Sequence, residues 1–130
     1  MGRVFFNVRD NVHNLTGTYQ ILATDSGKVF TIDQDAAFTV TLPSDQEGLK
    51  YEFILTDAGS NDVKIDSGGS NGIKGVLVDE NSVEAVDNNL VKFASGTAVV
   101  GDRFSLVNDG TTWWCEGMCS ADGGIVGANS

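Results

Sequence analysis

The sequence predicts an all-β fold: a jelly roll, or a β-barrel or sandwich, of about ten short antiparallel strands in one domain. Three observations carry this. Apolar and polar residues alternate with period two in one short segment after another, and no window has a convincing 3.6-residue period. Sixteen glycines stand against one proline, and clusters of Asp, Asn, Ser and Gly punctuate the chain at spacings near ten residues. The stretch Gly101 to Gly117 spells out a whole β-hairpin: Phe104 and Leu106 alternate with Arg103 and Ser105, Asn108-Asp-Gly110 forms the turn, and Trp113 and Cys115 alternate with Trp114 and Glu116.

Taken in order, the alternation marks strands at Arg3 to Val8, Tyr19 to Ala23, Lys28 to Ile32, Phe38 to Leu42, Tyr51 to Thr56 and Asp62 to Asp66. It continues at Gly75 to Val78, Val83 to Val86, Leu90 to Ala94, Arg103 to Val107 and Thr112 to Met118. The breaks fall at Asp25-Ser-Gly27, Asp57 to Asn61, Ser67 to Gly72, Asp87-Asn-Asn89 and Ser95-Gly96. A single helical turn is conceivable after Pro43, through Ser44 to Glu47. Residues 1–18 read as an N-terminal arm that augments a neighbour's sheet or as the first core strand, with both readings open. Residues 19–119 form the β-domain. Residues 120–130 are Gly-rich and nearly chargeless, a tail expected to be mobile unless docked.

Composition narrows the function classes. With 8 Lys and Arg against 18 Asp and Glu, the net charge is −10, which repels a phosphate backbone and argues against nucleic acid as a partner. The longest apolar run near the start is Val4-Phe5-Phe6, too short to cross a bilayer or form a secretion signal, so no membrane partner is expected and the chain is expected to begin at or near Met1. Phe6 stands where myristoylation of Gly2 would require Ser or Thr.

No residue pattern points to catalysis. The only histidine, His13, lies in a polar segment without a nearby nucleophile and is expected to be exposed. Cys115 and Cys119 on one extended strand lie about 13 Å apart, too far for a disulfide unless the chain turns at Gly117, and they lack a second ligand pair for zinc. Reduced, small apolar residues are the expected state. Asp33 with Asp35, and Asp57 with Asn61 and Asp62, could offer oxygens to calcium, yet neither fits a known binding loop and solvated turns are the better reading. Ser67 to Gly72 lacks the Lys-Ser/Thr ending of a phosphate loop. No metal or cofactor is expected. Trp113 and Trp114 must face opposite sides of a strand, so one enters the core and the other, Trp114 on this reading, serves a subunit contact or stacks on a sugar. Tyr19 and Tyr51 should pack with their hydroxyls at the rim.

Five blocks are distinctive together: Thr39-Val-Thr-Leu-Pro43, Gly48-Leu-Lys-Tyr-Glu-Phe-Ile54, Asn61-Asp-Val-Lys-Ile65, Ile73-Lys-Gly75 and Gly101 to Trp113. Over about residues 20 to 118 the chain resembles the β-modules of tailed-phage virions, most of all head decoration proteins. The resemblance implies a non-catalytic protein on the outer surface of the capsid, assembled in the host cytoplasm, that binds the major capsid protein as a homotrimer and stabilises the shell. Val4, Phe5 and Phe6 are then the candidate shell anchors. The alternative is a tail-fibre or spike module that recognises a host glycan, with Trp114 or Tyr51 as the stacking platform.

Overall fold

The described residues are 11–69 and 72–129 of a computed structural model, and among them twelve strands are divided between two facing sheets. They are β1 (Val12–Leu15), β2 (Tyr19–Gln20), β3 (Val29–Asp33), β4 (Phe38–Thr41), β5 (Lys50–Asp57), β6 (Val63–Asp66), β7 (Ile73–Val78), β8 (Val83–Asn88), β9 (Leu90–Phe93), β10 (Arg103–Asn108), β11 (Trp113–Met118) and β12 (Ile125–Ala128). One sheet has seven strands in the order β1-β3-β5-β10-β11-β7-β8, the other five in the order β12-β9-β6-β4-β2. The result is a nearly all-β sandwich.

The pairing is mixed, where the sequence suggested antiparallel strands throughout. β1, β3 and β5 run parallel in the larger sheet, β2, β4 and β6 run parallel in the smaller one, and β7 lies parallel to β11. From β1 to β6 the chain crosses to the opposite sheet after each strand and returns beside the last strand in the same sheet. It thus winds as a short solenoid before the hairpins β7-β8 and β10-β11 complete the larger sheet. Alternation specifies which face a residue takes and is silent on the direction of its neighbour. One crossing, between β3 and β4, is fixed by the fully buried Gln34. Its amide nitrogen donates to the carbonyls of Asn61 at 2.9 Å and Phe93 at 3.2 Å, and its oxygen accepts from the Gly59 N–H at 3.0 Å.

Two further segments depart from expectation, and one strand candidate falls outside the described residues. The C-terminal residues are no loose tail: Ile125–Ala128 pairs antiparallel with β9 and buries Ile125. β1 begins at Val12, while the Arg3 to Val8 strand candidate, with Val4, Phe5 and Phe6, lies outside the described residues. After Pro43 the chain makes a non-helical turn at Glu47 and Gly48, and the short helical turn falls instead at Ala23–Asp25, where the Asp25 carboxylate accepts from the Leu22 N–H at 3.0 Å and from Lys28. That side-chain bond draws the backbone away from the ladder and cuts β2 to two residues.

The core is an aromatic ladder set by register. Phe30, Phe53 and Phe104 are direct neighbours on β3, β5 and β10. Phe30 stacks on Phe53 at 5.6 Å and Phe53 on Phe104 at 5.0 Å, while Phe93 closes on Phe104 from the other sheet. Such pairs add to the burial of the rings themselves. The next position in the row is Gly117, where a Cβ would meet the Phe104 Cβ at 2.5 Å. Tyr51 and Trp113 form a second pair at 5.8 Å, and the Tyr51 hydroxyl donates to the Leu22 carbonyl at 2.7 Å.

Candidate functional site

With Tyr51, Phe53, Phe104, Leu106, Trp113 and Cys115 turned inward, alternation sends Lys50, Glu52, Arg103, Ser105, Val107, Trp114, Glu116 and Met118 to the outer face of the larger sheet. Register then orders them in rows. Trp114 lies between Val107 and Lys74, with Lys50 beyond Val107; the next row holds Glu116, Ser105, Glu52 and Val29; the third holds Met118, Arg103 and Ile54.

Ser105, the smallest side chain on the middle strand, leaves a depression between its long neighbours. It opens into two lobes. One, about 300 Å³, is lined by Lys28, Val29, Lys50, Glu52 and Ser105; the other, about 180 Å³, by Glu52, Arg103, Ser105, Glu116 and Met118. Their linings share Glu52 and Ser105. The Arg103 guanidinium lies 3.6 Å from Glu52, too exposed a pair to add much stability. Lys28 holds Asp25 at 3.0 Å.

Trp114, in the row with Val107 and Lys74, has 48% of its surface exposed and lines neither lobe, whereas Trp113 is 1% exposed in the core. The division between the two tryptophans agrees with the alternation. The structure adds an unforeseen clamp. In the hairpin turn Asp109 accepts from the Thr111 and Thr112 N–H groups, each at 2.9 Å, and its other oxygen accepts from the Trp114 indole N–H at 2.8 Å. Those bonds, the Trp114 one foremost, hold the Asp109 carboxyl well below the usual carboxylate range. Asn108, buried one residue earlier, binds the Gly110 N–H at 2.7 Å and donates to Asp45. The one available sequence signal was an Asp five residues ahead of a Trp across a tight turn.

The other singled-out residues serve packing or turns. Cys115 and Cys119 are buried and unbridged; burial, then the Glu116 charge, pushes the Cys115 thiol up to about 12. His13 is half-buried and not exposed as expected, its ring 5.1 Å from Tyr19 and 5.9 Å from Phe30, because the parallel pairing of β1 with β3 sets it beside Phe30. Asp62 is committed to Lys92 at 3.1 Å and the Ser95 N–H at 2.8 Å. The carboxylates of Asp33, Asp35 and Asp57 do converge, as do those of Asp79, Glu84 and Asp122, and either trio could offer oxygens to a cation. Neither trio is buried, and Asp79 already accepts from the Asn81 and Ser82 N–H groups. A larger open hollow of about 450 Å³ on the smaller sheet is lined by Thr39, Asn61, Asp62, Lys64 and Ser95, and offers no exposed aromatic ring.

Compared with protein-family models, with curated proteins and with solved structures, the chain matches none.

Proposed function

We propose that this chain is a non-catalytic virion component of a tailed phage: a decoration protein that assembles as a homotrimer, binds the major capsid protein on the outer surface of the head and stabilises the shell. The five blocks quoted above support the reading, and the edges of the larger sheet favour self-association. Among the described residues the larger sheet ends on two different unpaired edges, β1 and β8, and each presents an exposed valine, Val12 at 57% and Val83 at 69%. Pairing the β1 edge of one copy with the β8 edge of the next is a heterologous contact, which a three-fold rotation would close into a ring. It removes two edges that would otherwise invite uncontrolled pairing. Val4, Phe5 and Phe6, six to eight residues ahead of Val12 in sequence, are the proposed shell anchors, and binding only the assembled lattice stabilises that lattice by mass action.

Light scattering on the purified chain tests the trimer. A mass near three times 13.7 kDa supports it; a monomer at every accessible concentration overturns it. Co-sedimentation with heads lacking the protein tests the anchors: deleting residues 1–10 should abolish binding while the sandwich folds, and unchanged binding would refute their role. The second reading, a tail-fibre or spike module that recognises a glycan, is favoured by Trp114 standing half-exposed and fixed on a solvent face.

A further inference from the structure

The two unpaired edges of the larger sheet carry matching chemistry on both of their faces. On β8 the outer face presents Val83 and Ala85, level with Val78 and Val76 on β7, and Met118 lies beyond Val78. Val76, Val78, Val83 and Met118 are all exposed, so this corner is apolar. The inner face of β8 presents Glu84, opposite the buried Leu77, and its carboxylate converges with those of Asp79 and Asp122. None of the three forms an ion pair among the described residues. β1 is divided in the same way. Val12 is exposed and Asn14 takes a hydrogen bond from the Thr31 hydroxyl on the outer face, while Leu15 enters the core and His13 turns inward against Tyr19 and Phe30.

We propose that β8 of one copy takes β1 of a second copy as an antiparallel strand, with Val12 opposite Ala85 and His13 opposite Glu84, and that protonation of His13 tightens this joint. The proposal names the contact and the control behind the self-association reading and rests on that reading. Direction follows from the sheet: traced pair by pair, β1 and β8 run antiparallel within one chain, and a copy rotated about an axis along the strands keeps its directions. Register follows from the faces. A slip of one residue would turn Val12 and His13 to the wrong sides. A slip of two residues one way sets Val12 on Asp87 and Leu15 on Glu84; a slip of two the other way sets His13 on Ser82 and carries Asn14 and Leu15 past the end of β8. The register between them joins apolar to apolar and base to acid. It also keeps clear of the far end of β8, where Asn129 accepts from the Asn88 amide and the Asn89 N–H.

Directly opposed residues stand about 4.5–5.5 Å apart at Cβ, within reach of an imidazolium and a carboxylate. On the neighbouring copy the groups on this side of the joint are Glu84, Asp79 and Asp122. Within its own chain His13 packs on two rings, with the Asp25–Lys28 pair beyond the Tyr19 hydroxyl. A base that meets a carboxylate on assembly holds its proton more firmly there, so the gain is complete below the ordinary imidazole range and fades as pH rises through it. With the imidazole uncharged, the joint rests on the valines and backbone groups alone.

The test is sedimentation equilibrium of the full chain and of His13→Gln, Glu84→Gln and the double variant. Wild type should associate at least about tenfold more tightly at about pH 5.5 than at about pH 8. Each single variant should lose most of that gain, and the double variant should be no weaker than either single one. At about pH 8 all four should agree within about twofold, with near-ultraviolet circular dichroism reporting an intact core. Relief of general repulsion has the opposite sign at one position, because Glu84→Gln removes a negative charge and yet should weaken association in mild acid. Association of wild type that ignores pH, or a gain that survives His13→Gln or Glu84→Gln, would overturn this joint while leaving self-association standing. A monomer at every concentration at both pH values would overturn both.

Discussion

The indole N–H of Trp114 donates to Asp109 at 2.8 Å, and the same carboxylate takes the Thr111 and Thr112 N–H groups of the hairpin turn. One side chain thus shapes the turn and orients an exposed ring. Replacing Asp109 with Ala should loosen both: the unfolding midpoint falls, and Trp114 emission loses anisotropy. The pH dependence follows from the sign of the shift. The Asp109 carboxyl is held down in the folded state, so its contribution is complete above the unfolded value of about 3.9 and disappears only as pH falls through the lower folded value. Denaturation of wild type and Asp109→Ala should differ by a constant amount from pH 5 to 7 and converge in stronger acid. Curves that converge towards neutral pH instead would contradict the clamp.

Phe53 sits mid-ladder between Phe30 and Phe104 and is fully buried. Truncation to Ala removes stacking partners on both sides and leaves a void that close-packed neighbours cannot fill, a loss of about 3–5 kcal/mol in denaturant unfolding. Val107→Ala, on the outer face of the neighbouring strand, should change stability by less than about 0.5 kcal/mol. Similar losses at the two sites would mean that the ladder does not organise the core.

Gly75 adopts φ +150° beside its register partner Cys115, and a Cβ there would run into the Cys115 carbonyl. Alanine at 75 must push β7 from β11 in the middle of the larger sheet, with a loss of at least about 1–3 kcal/mol. Gly69→Ala has open space and serves as the control.

Cys115 and Cys119 should resist thiol reagents in the folded protein. Burial raises both thiols, Cys115 to about 12, so little of the reactive thiolate is present at neutral pH. Labelling with a chromogenic disulfide should be slow, and denaturant should release two equivalents at once. Rapid labelling of either residue in the native state would contradict this packing.

Strand positions were legible because period-two alternation is imposed by burial of one face, and the segments around Phe30, Phe53, Phe104 and Trp113 carry it cleanly. Strand direction was not. The parallel winding of β1 to β6 depends on connections that cross between sheets, and the one fixed by Gln34 uses a polar residue whose burial shows only when its three partners converge. β12 was missed because Ile125-Val-Gly-Ala128 is short, follows Gly123-Gly124 and contains a glycine itself, so its pairing with β9 is a tertiary effect that overrides local signal. At the candidate site Trp114 was legible from alternation alone. The depression over Ser105 was not, because Ser105 looks like any strand serine until its row neighbours Glu52 and Glu116 are known.

Net charge sets the final prediction, which concerns assembly. Bringing three copies together concentrates three charges of −10, a repulsion that salt screens with a Debye length near 10 Å at 0.1 M. The proposed contact between the β1 and β8 edges joins valines and backbone groups, which salt does not weaken. Trimer dissociation should therefore become less favourable from about 0.05 to 0.5 M salt. Val12→Asp or Val83→Asp should shift the midpoint to higher protein concentration, each adding like charge to an acidic assembly. Val83→Lys should be milder than Val83→Asp, because it disturbs the same packing while lowering the net repulsion. Sedimentation equilibrium across the salt series measures all of these. A trimer that falls apart as salt rises would show that ion pairs hold it, and would rule out the apolar edge contact.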